Sequence, residues 1–475
     1  MFKKPQYPEV EPVVLKPWHG LRPAYYILLL LLLFILLIFF LLCLLPGLVS
    51  SKAYVSFSTD LPVLGVYEDG KYLGNGYDSV LETTSGTHTY KYTYEGIVIG
   101  EETKEVKRHY FFTVFYNPVT VITPSLTYTD EVREKAVETA AEEVASRSLI
   151  TEYTDEAVYS DMLYTFARTA EVMGIEDVRD IWLYSLLHVT SDEMYHDYLR
   201  AKAVYDENGI TYETDESRTV EEYINSLYGS NDTSEIVKTD ETSEIKVKRD
   251  GSFSSYSAGT VTLGETTSPS YPDSDSLPRT LSYDSFSIGV NMITENEYAK
   301  FVEENPEWSA DNRDNLIAEG LVDSNYLKNI TLSSRSSRPI RYISWYAADA
   351  YCSWRSEKDG VEYSLPTEAE WTVAALSASE KDYVTSLVFV ENNSDTPTGL
   401  MGQLWDMTTT VYIPLSRLVS TETVERLESL FPYDGVVVLG GSNVNSADEI
   451  EISTVGFSYR DTCSEFNGFR LVKHE

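Results

Sequence analysis

YSLPTEAEW, residues 363–371, decides the fold of the C-terminal half of this chain. Within it, Thr367 and Glu370 have the spacing of a capping box, in which each side chain accepts the other residue's backbone N–H, so we expect a helix to begin here. The stretch ISWYAADAYCSW, residues 343–354, precedes it, and Ser344 is placed to cap another helix. The chain ends on NGFRLV, residues 467–472, which we interpret as a closing strand.

These three pieces, in this order, resemble the formylglycine-generating enzyme, or sulfatase-modifying factor, family. Two earlier segments extend the resemblance: Tyr256–Gly264 is similar to the family's opening strand, and Ser285–Val302 is similar to its strand-then-helix entry. Thr294 and Glu297 predict a further capping box at that helix. The resemblance covers residues 252–475 and implies an α+β domain with a C-type-lectin-like fold.

The calcium element of the family is altered in this chain. Family members hold calcium with oxygen ligands in an element that follows an Asp-Met pair. Asp406 and Met407 are present, but Thr410 and Ile413 occupy the positions of the family's Asn and Glu. Because an isoleucine side chain offers no oxygen to a cation, we predict no metal site here.

The copper site of the family is altered as well. Val438–Ser442 resembles the family's Arg-Gly-Gly-Ser strand, with Leu439 in place of the Arg. In active members a pair of cysteines follows that Ser and binds copper, whereas residues 443–449 of this chain contain no cysteine. Soft Cu(I) prefers thiolate ligands. These departures from the family's pattern predict a domain without catalytic residues and without a cofactor.

Only three cysteines occur, and each has a simple interpretation. Cys43 lies in an apolar run and acts as a small apolar side chain there. By analogy with family members that tie the Tyr-Cys-x-Trp helix to this region, the resemblance implies a disulfide between Cys352 and Cys463. A free buried thiol is the alternative for both.

Two sets of polar residues suggest chemistry and have simpler interpretations. Glu368 and Glu370 resemble an acid/base pair, but helix capping explains them without catalysis. His188, Asp192 and His196 follow one another at four-residue intervals, a spacing that could hold a metal on one helix face. A solvated polar face is the interpretation we favour. The non-haem-iron branch of the superfamily is disfavoured, since no histidine lies between residues 251 and 473.

The N-terminal region predicts a single membrane anchor. Ile27–Leu45 is an apolar run of about 19 residues, enough for a helix to cross a bilayer. Four basic residues precede it, Lys3, Lys4, Lys16 and Arg22, and only Lys52 follows closely. We therefore expect residues 1–24 to be a cytoplasmic tail, 25–47 a transmembrane helix and the rest extracytoplasmic. A signal peptide cleaved near residue 53 is the alternative.

The middle of the chain divides into three segments. Residues 53–120 predict a small β-domain, with a hairpin turn at Asp69-Gly70, and resemble the PEGA module. Residues 128–208 carry apolar side chains at helical spacing and predict a helical segment. Residues 209–251 are dense in acidic and small polar residues and predict an acidic linker.

Charge and the missing chemistry together limit the function. The formal net charge of −38 repels phosphate backbones, so nucleic-acid binding is excluded. We predict a non-catalytic module that binds an extracytoplasmic protein or a glycan, or that packs on a partner subunit. An active sulfatase-modifying oxidase with an altered site, using copper or calcium, is the alternative. The candidate binding residues are Ser442, Asn443, Asn445, Asp448, Tyr459 and Arg460.

Overall fold

The computed structural model describes residues 16–474, apart from 18–19, 21, 114–115, 117, 154–160, 230–241, 265–276, 334, 379–382, 388–393 and 448–449. The chain forms two compact units. One comprises Met1–Ala136 with Arg168–Gly174, and the other comprises Val137–Ala167 with Ile175–Glu475.

The first unit begins with a long apolar helix. It consists of α1 (Pro23–Phe39), a π-helical turn (Phe40–Leu44) and α2 (Leu45–Val49). Its 27 residues are apolar enough to cross a membrane, and a signal sequence has the same properties.

A small β-domain follows this helix, as predicted from the sequence. Its strands are β1 (Lys52–Phe57), β2 (Gly65–Glu68), β3 (Lys71–Asn75), β4 (Val80–Thr84), β5 (Gly86–Tyr94), β6 (Ile97–Val106) and β7 (Val119–Ile122). They form a four-stranded sheet in the order β3-β2-β5-β6 and a three-stranded sheet in the order β4-β1-β7. The predicted hairpin turn is confirmed, with positive φ at Asp69 and Gly70. The resemblance to a PEGA module stays a prediction.

Among the residues that the structure describes, the middle of the chain contains five helices. They are α3 (Asp130–Tyr153), α4 (Met162–Met173), α5 (Arg179–Leu186), α6 (Asp192–Asn208) and α7 (Asp215–Tyr228). The last of them contradicts the predicted acidic linker, because α7 lies within residues 209–251. Val220 and Ile224, one turn apart, are buried, and Thr214 caps the helix. The dense acidic composition conceals this apolar stripe. Residues 230–241 of the predicted linker lie outside the described residues.

The C-terminal domain mixes short strands and helices. Its strands are β8 (Val247–Asp250), β9 (Phe253–Tyr256), β10 (Gly259–Leu263), β11 (Arg279–Tyr283), β12 (Phe286–Gly289), β13 (Tyr363–Ser364), β14 (Trp405–Val411), β15 (Gly435–Leu439), β16 (Val455–Tyr459), β17 (Asn467–Gly468) and β18 (Val472–His474). Its helices are α8 (Glu295–Glu304), α9 (Arg313–Ala318), α10 (Trp345–Asp359), α11 (Glu368–Ser377) and α12 (Thr421–Leu430), with 3₁₀ turns at Pro306–Trp308, Ala310–Asn312 and Ser416–Leu418.

The described strands of this domain form three sheets. A five-stranded sheet has the order β13-β18-β12-β9-β8, a four-stranded sheet has the order β16-β15-β14-β17, and β10 pairs with β11. Since β8 belongs to the five-stranded sheet, this domain begins before the predicted boundary at residue 252. The mixed architecture is the expected α+β class.

Local sequence chemistry sets the helix starts of this domain. Thr294 and Thr367 each form a complete capping box with the glutamate three residues later, and Ser344 caps α10. All three helix starts were predicted from the sequence and are confirmed. Such caps satisfy backbone N–H groups that no helix can pair internally.

Helices α5 and α7 pack against the C-terminal domain within the second unit. The Thr423 hydroxyl of α12 donates to Glu216 Oε1 of α7 at 2.7 Å. The rings of Tyr184 in α5 and Phe431 after α12 lie 5.0 Å apart between centroids. These two helices are therefore part of the same folded body as the domain.

Candidate functional site

The turn after β15 is the one that, by sequence resemblance, corresponds to the family's Arg-Gly-Gly-Ser strand. Gly440 and Gly441 have φ of 91° and 71°, values that favour glycine. The backbone amide and the hydroxyl of Ser442 both donate to Asn445 Oδ1, at 2.9 Å each. The Tyr383 hydroxyl donates to the Asn445 carbonyl at 3.0 Å. The turn is therefore closed by hydrogen bonds among its own polar groups and those of its neighbours.

A cleft of about 500 Å³ opens beside this turn. Its walls are mostly apolar: Ala375, Leu376, Ala378, Tyr383, Pro397, Leu400, Met401, Ala447, Ile450, Glu451 and Ile452. Sequence reasoning missed these residues, because they come from the end of α11 and from two loops, one before β14 and one before β16, that no motif connects. Among the predicted binding residues, Ser442 and Asn445 form the turn at the edge of the cleft.

A second cleft of about 510 Å³ lies elsewhere on the domain. It is bordered by the start of α8 and by residues 335–337, and its lining includes Lys300 and Arg335. None of the predicted binding residues lines it, so the family's chemistry gives no reason to prefer it.

The predicted binding face is divided in the structure. β15 pairs with β16 so that Gly435 opposes Tyr459 and Leu439 opposes Val455. Tyr459 and Arg460 therefore lie at one end of this ladder and Ser442 lies beyond the other end. Asn443, next to Ser442, is half-buried, and Asp448 lies outside the described residues.

Arg460 has partners that explain it without a ligand. Its guanidinium lies over the Trp345 ring, 4.8 Å from the centroid, which is a cation–π contact. Its backbone amide donates to the Asp434 carbonyl at 2.8 Å, and Asp434 also accepts the Tyr346 hydroxyl at 2.7 Å. Arg460 thus connects β16 to the start of α10.

The two glutamates of α11 have separate structural partners. Glu370 completes the capping box, as predicted. Glu368, by contrast, does not cap with its side chain. Its Oε1 accepts from Arg417 Nη2 at 2.7 Å, and both side chains are largely buried. This ion pair joins α11 to the 3₁₀ turn before α12, a contact that local sequence could not reveal.

The altered calcium element is also occupied by structural contacts. The Thr410 hydroxyl accepts the backbone amide of Glu368 at 3.0 Å, and Ile413 is buried in the core. Across the described ranges, no group of three His, Cys, Asp or Glu side chains is arranged to hold a metal ion.

His188, Asp192 and His196 do not share one helix face, contrary to their sequence spacing. His188 lies in the turn between α5 and α6, where it is buried and its Nδ1 is 2.8 Å from the Tyr184 carbonyl. Burial lowers the pKa of His188 to about 4. His196 is exposed on α6, with its Nε2 3.5 Å from Asp192 Oδ2. The break in the helix at residues 187–191 separates the two histidines.

Cys352 and Cys463 are free thiols in the structure, which differs from the expected disulfide. Both are buried in the core cluster around Tyr298 and Phe469, and the Cys463 thiol is 3.5 Å from the Asp461 carbonyl. Burial raises the pKa of both thiols, which disfavours the thiolate that metal binding requires. The donors at the Gly-Gly-Ser turn are hydroxyl and carboxamide groups, and they do not fit a copper ion.

Comparison with known proteins identifies the C-terminal domain. Residues 238–398 match the family described as the sulfatase-modifying factor enzyme 1-like domain. An uncharacterized protein of Borreliella burgdorferi is 40% identical over 98 residues, which is 20% of each chain. The family match includes the capped helices α8, α10 and α11 and ends before the Gly-Gly-Ser turn.

The similar solved structures have lower sequence identity. PvdO from Pseudomonas aeruginosa is 13% identical, with a TM-score of 0.33 over 50% of this chain and 100% of its own. Treponema denticola variable protein 1 is 17% identical, with a TM-score of 0.31 over 49% of this chain and 100% of its own. The C-terminal region therefore contains a divergent sulfatase-modifying factor-like domain, matched over residues 238–398.

Proposed function

We propose that this chain is a membrane-anchored extracytoplasmic protein whose sulfatase-modifying factor-like domain binds a ligand and does not generate formylglycine. The apolar helix and the basic residues before it support the anchor and its orientation. The resemblance of the domain supports a C-type-lectin-like fold that binds a ligand. The hydroxyl and carboxamide groups at the Gly-Gly-Ser turn argue against the copper-dependent oxidation that the family performs.

The observation that carries this proposal is the turn at Ser442. The Ser442 hydroxyl donates to Asn445 Oδ1, so both of these atoms already have a hydrogen-bond partner within the turn. Oxidation of a substrate thiol on copper requires soft ligands at this position. The two cysteines of the domain are buried in the core cluster around Tyr298 and Phe469, which does not include Ser442, and burial raises the pKa of both thiols.

The cleft beside the turn favours a particular kind of ligand. Its walls are aliphatic over most of their extent, with Tyr383 and Glu451 as polar exceptions. Glycan sites need several polar groups directed at hydroxyls, whereas apolar clefts accept aliphatic or aromatic side chains. We therefore favour an apolar segment of an extracytoplasmic protein over a glycan.

We expect no formylglycine from this protein. The full chain in detergent would be incubated with Cu(I), oxygen and a Cys-x-Pro-x-Arg peptide, and the peptide mass would be followed beside an active family member. The measured conversion should equal that of copper without protein, because no thiolate pair is available at the turn. Conversion above that background would overturn the non-catalytic assignment and favour an altered oxidase site.

We expect an apolar peptide probe to occupy the cleft. The probe is an acetylated dipeptide amide of benzoylphenylalanine and leucine, whose ketone inserts into nearby C–H bonds on irradiation. Met401 lines the cleft, so the adduct should map to Met401 in the full chain. Ala447→Trp should abolish this adduct, because the new ring fills space at the cleft wall.

The control for this labelling is Val444→Trp. Val444 is 67% exposed on the same turn and does not line the cleft, so the added ring should leave labelling of Met401 unchanged. Equal labelling of Met401 in both variants, or adducts only outside the cleft, would contradict the binding proposal.

A further inference from the structure

The first unit contains a contact between the apolar helix and a distant loop. Pro46 lies in the helix and has no N–H to donate, so the backbone pattern is disturbed there, after the π-helical turn. The Cys43 carbonyl accepts a hydrogen bond from the Phe112 amide at 2.8 Å. The loop after β6 thus reaches back and pairs with a backbone group inside the helix.

Arg108 in the same loop caps the end of the helix. Its Nε donates to the Gly47 carbonyl at 3.2 Å, and its Nη2 donates to the carbonyls of Leu48 at 2.6 Å and Ser50 at 3.3 Å. These are carbonyls that a helix end leaves unpaired, and a cation there is favoured by the helix dipole. Cleavage near residue 53 would remove all three acceptors, so this cap favours retention of the helix.

The close approach of the loop is built into the sequence at Gly47. A Cβ at this position would lie 2.3 Å from the Tyr110 carbonyl oxygen, which is far inside van der Waals contact. Only glycine therefore permits the helix and the loop to meet at this distance without a backbone shift.

Four of the described aromatic side chains near this contact are exposed. We call Tyr110, Phe111, Phe112 and Tyr116 the aromatic tip, with exposures of 45%, 62%, 46% and 69%. The Phe112 ring lies 6.0 Å from the Phe39 ring of the apolar helix, so the tip continues the apolar surface of that helix. Exposed aromatic side chains beside an apolar helix are typical of an interaction site, and aromatic rings are enriched at membrane interfaces.

We propose that the aromatic tip inserts into the head-group and upper acyl region of the bilayer and seats the β-domain on the membrane. The apolar run Ile27–Leu45 is about 28 Å long as a helix, close to the roughly 30 Å of a hydrocarbon core. Phe112 contacts Phe39 and Cys43, which belong to the last two turns of that run. A helix that spans the bilayer therefore carries the tip into it.

This inference rests on the proposed membrane anchor, and one experiment separates the two. The full chain would be reconstituted in phosphatidylcholine vesicles with a nitroxide attached at Phe111→Cys, at Leu32→Cys within the helix or at Tyr72→Cys on the β-domain. Tyr72 is 63% exposed and serves as the matched control. The native cysteines are buried, and labelled wild-type chain measures their background.

Collision rates with oxygen and with a water-soluble nickel chelate report where each label lies. The oxygen-to-nickel ratio at 111 should be several-fold above that at 72 and should approach the ratio at 32. If the label at position 111 has the same ratio as the label at position 72 while the label at position 32 lies in lipid, the insertion of the aromatic tip is overturned and the anchor is not. A water-exposed label at 32 would instead overturn the anchor on which it rests.

A second variant tests the Arg108 cap. Arg108→Gln should lower the oxygen-to-nickel ratio at position 111 several-fold while leaving position 32 unchanged, because the tip loses its connection to the helix end. Lys71→Gln, at an exposed site on the β2–β3 hairpin, removes the same charge and should have no effect on either label. An unchanged ratio at 111 in the Arg108 variant would contradict the role of the cap.

Discussion

Replacing Arg470 with methionine is expected to lower the free energy of unfolding by about 3–5 kcal/mol. Arg470 and Asp406 are both fully buried, and Nε of the arginine lies 2.8 Å from Oδ2 of the carboxylate. The same Oδ2 accepts the Trp371 indole N–H at 2.9 Å. The guanidinium also donates to the carbonyls of Gly289 and Gly399, at 3.3 and 3.2 Å. Its removal leaves the buried carboxylate without its counter-charge, with only the Trp371 N–H as a donor, and takes a donor from the carbonyls of Gly289, Thr398 and Gly399.

The measurement is urea unfolding of the full chain in detergent, followed by tryptophan fluorescence. Lys358→Met is the matched control, because it breaks the exposed ion pair with Glu304 and should cost at most about 1 kcal/mol. Asp406→Asn combined with Arg470→Met should recover part of the loss, since no buried charge then remains. A loss for Arg470→Met no larger than that of the control would contradict the role of this pair.

Replacing Gly440 with alanine is expected to cost more than about 3 kcal/mol and to close the candidate cleft. Gly440 has a φ of 91°, and a Cβ there would lie 2.0 Å from the Leu400 carbonyl oxygen and 2.8 Å from the Trp371 ring. The Leu400 backbone must move to relieve this overlap. Because Leu400 and Met401 line the cleft, both the free energy of unfolding and the labelling of Met401 by the benzophenone probe should fall.

Gly360→Ala is the control that separates backbone strain from overlap. Gly360 ends α10 with a φ of 68°, and a Cβ there meets nothing within 4 Å. The Gly360→Ala change should lower the free energy of unfolding by only about 1–2 kcal/mol, the strain of an L-residue in the left-handed conformation. Labelling of Met401 should be unchanged. Equal losses in the two variants, measured by urea unfolding, would show that the overlap at Gly440 carries no energetic weight.

Local chemistry made several parts of the fold predictable. The capping boxes at Thr294 and Thr367 depend on residues three positions apart, so their spacing alone predicted where two helices begin. The hairpin at Asp69-Gly70 was predictable for the same reason, since two residues set the turn. The prediction of an acidic linker at residues 209–251 rested on composition alone and was wrong. The many acidic residues of α7 outweighed the apolar pair Val220 and Ile224, whose burial stabilises that helix.

The spacing of residues along the chain gave a wrong prediction where a turn interrupts a helix. His188 and His196 have the interval of one helix face, yet the turn at residues 187–191 buries the first and exposes the second. The binding face failed similarly, because strand register places Ser442 and Tyr459 toward opposite ends of the β15–β16 ladder. Register depends on the closure of a whole sheet, which no short window of sequence contains.

The apolar helix, the capped helices of the C-terminal domain and the absence of cysteine from residues 443–449 could all be read from the sequence. Each of these depends on the identity of residues within a few positions of one another. Only the tertiary structure decided that Glu368 pairs with Arg417, that an apolar cleft borders the Gly-Gly-Ser turn, and that Arg108 caps the apolar helix. These contacts join residues far apart in the chain, so they exist only once the intervening elements have packed.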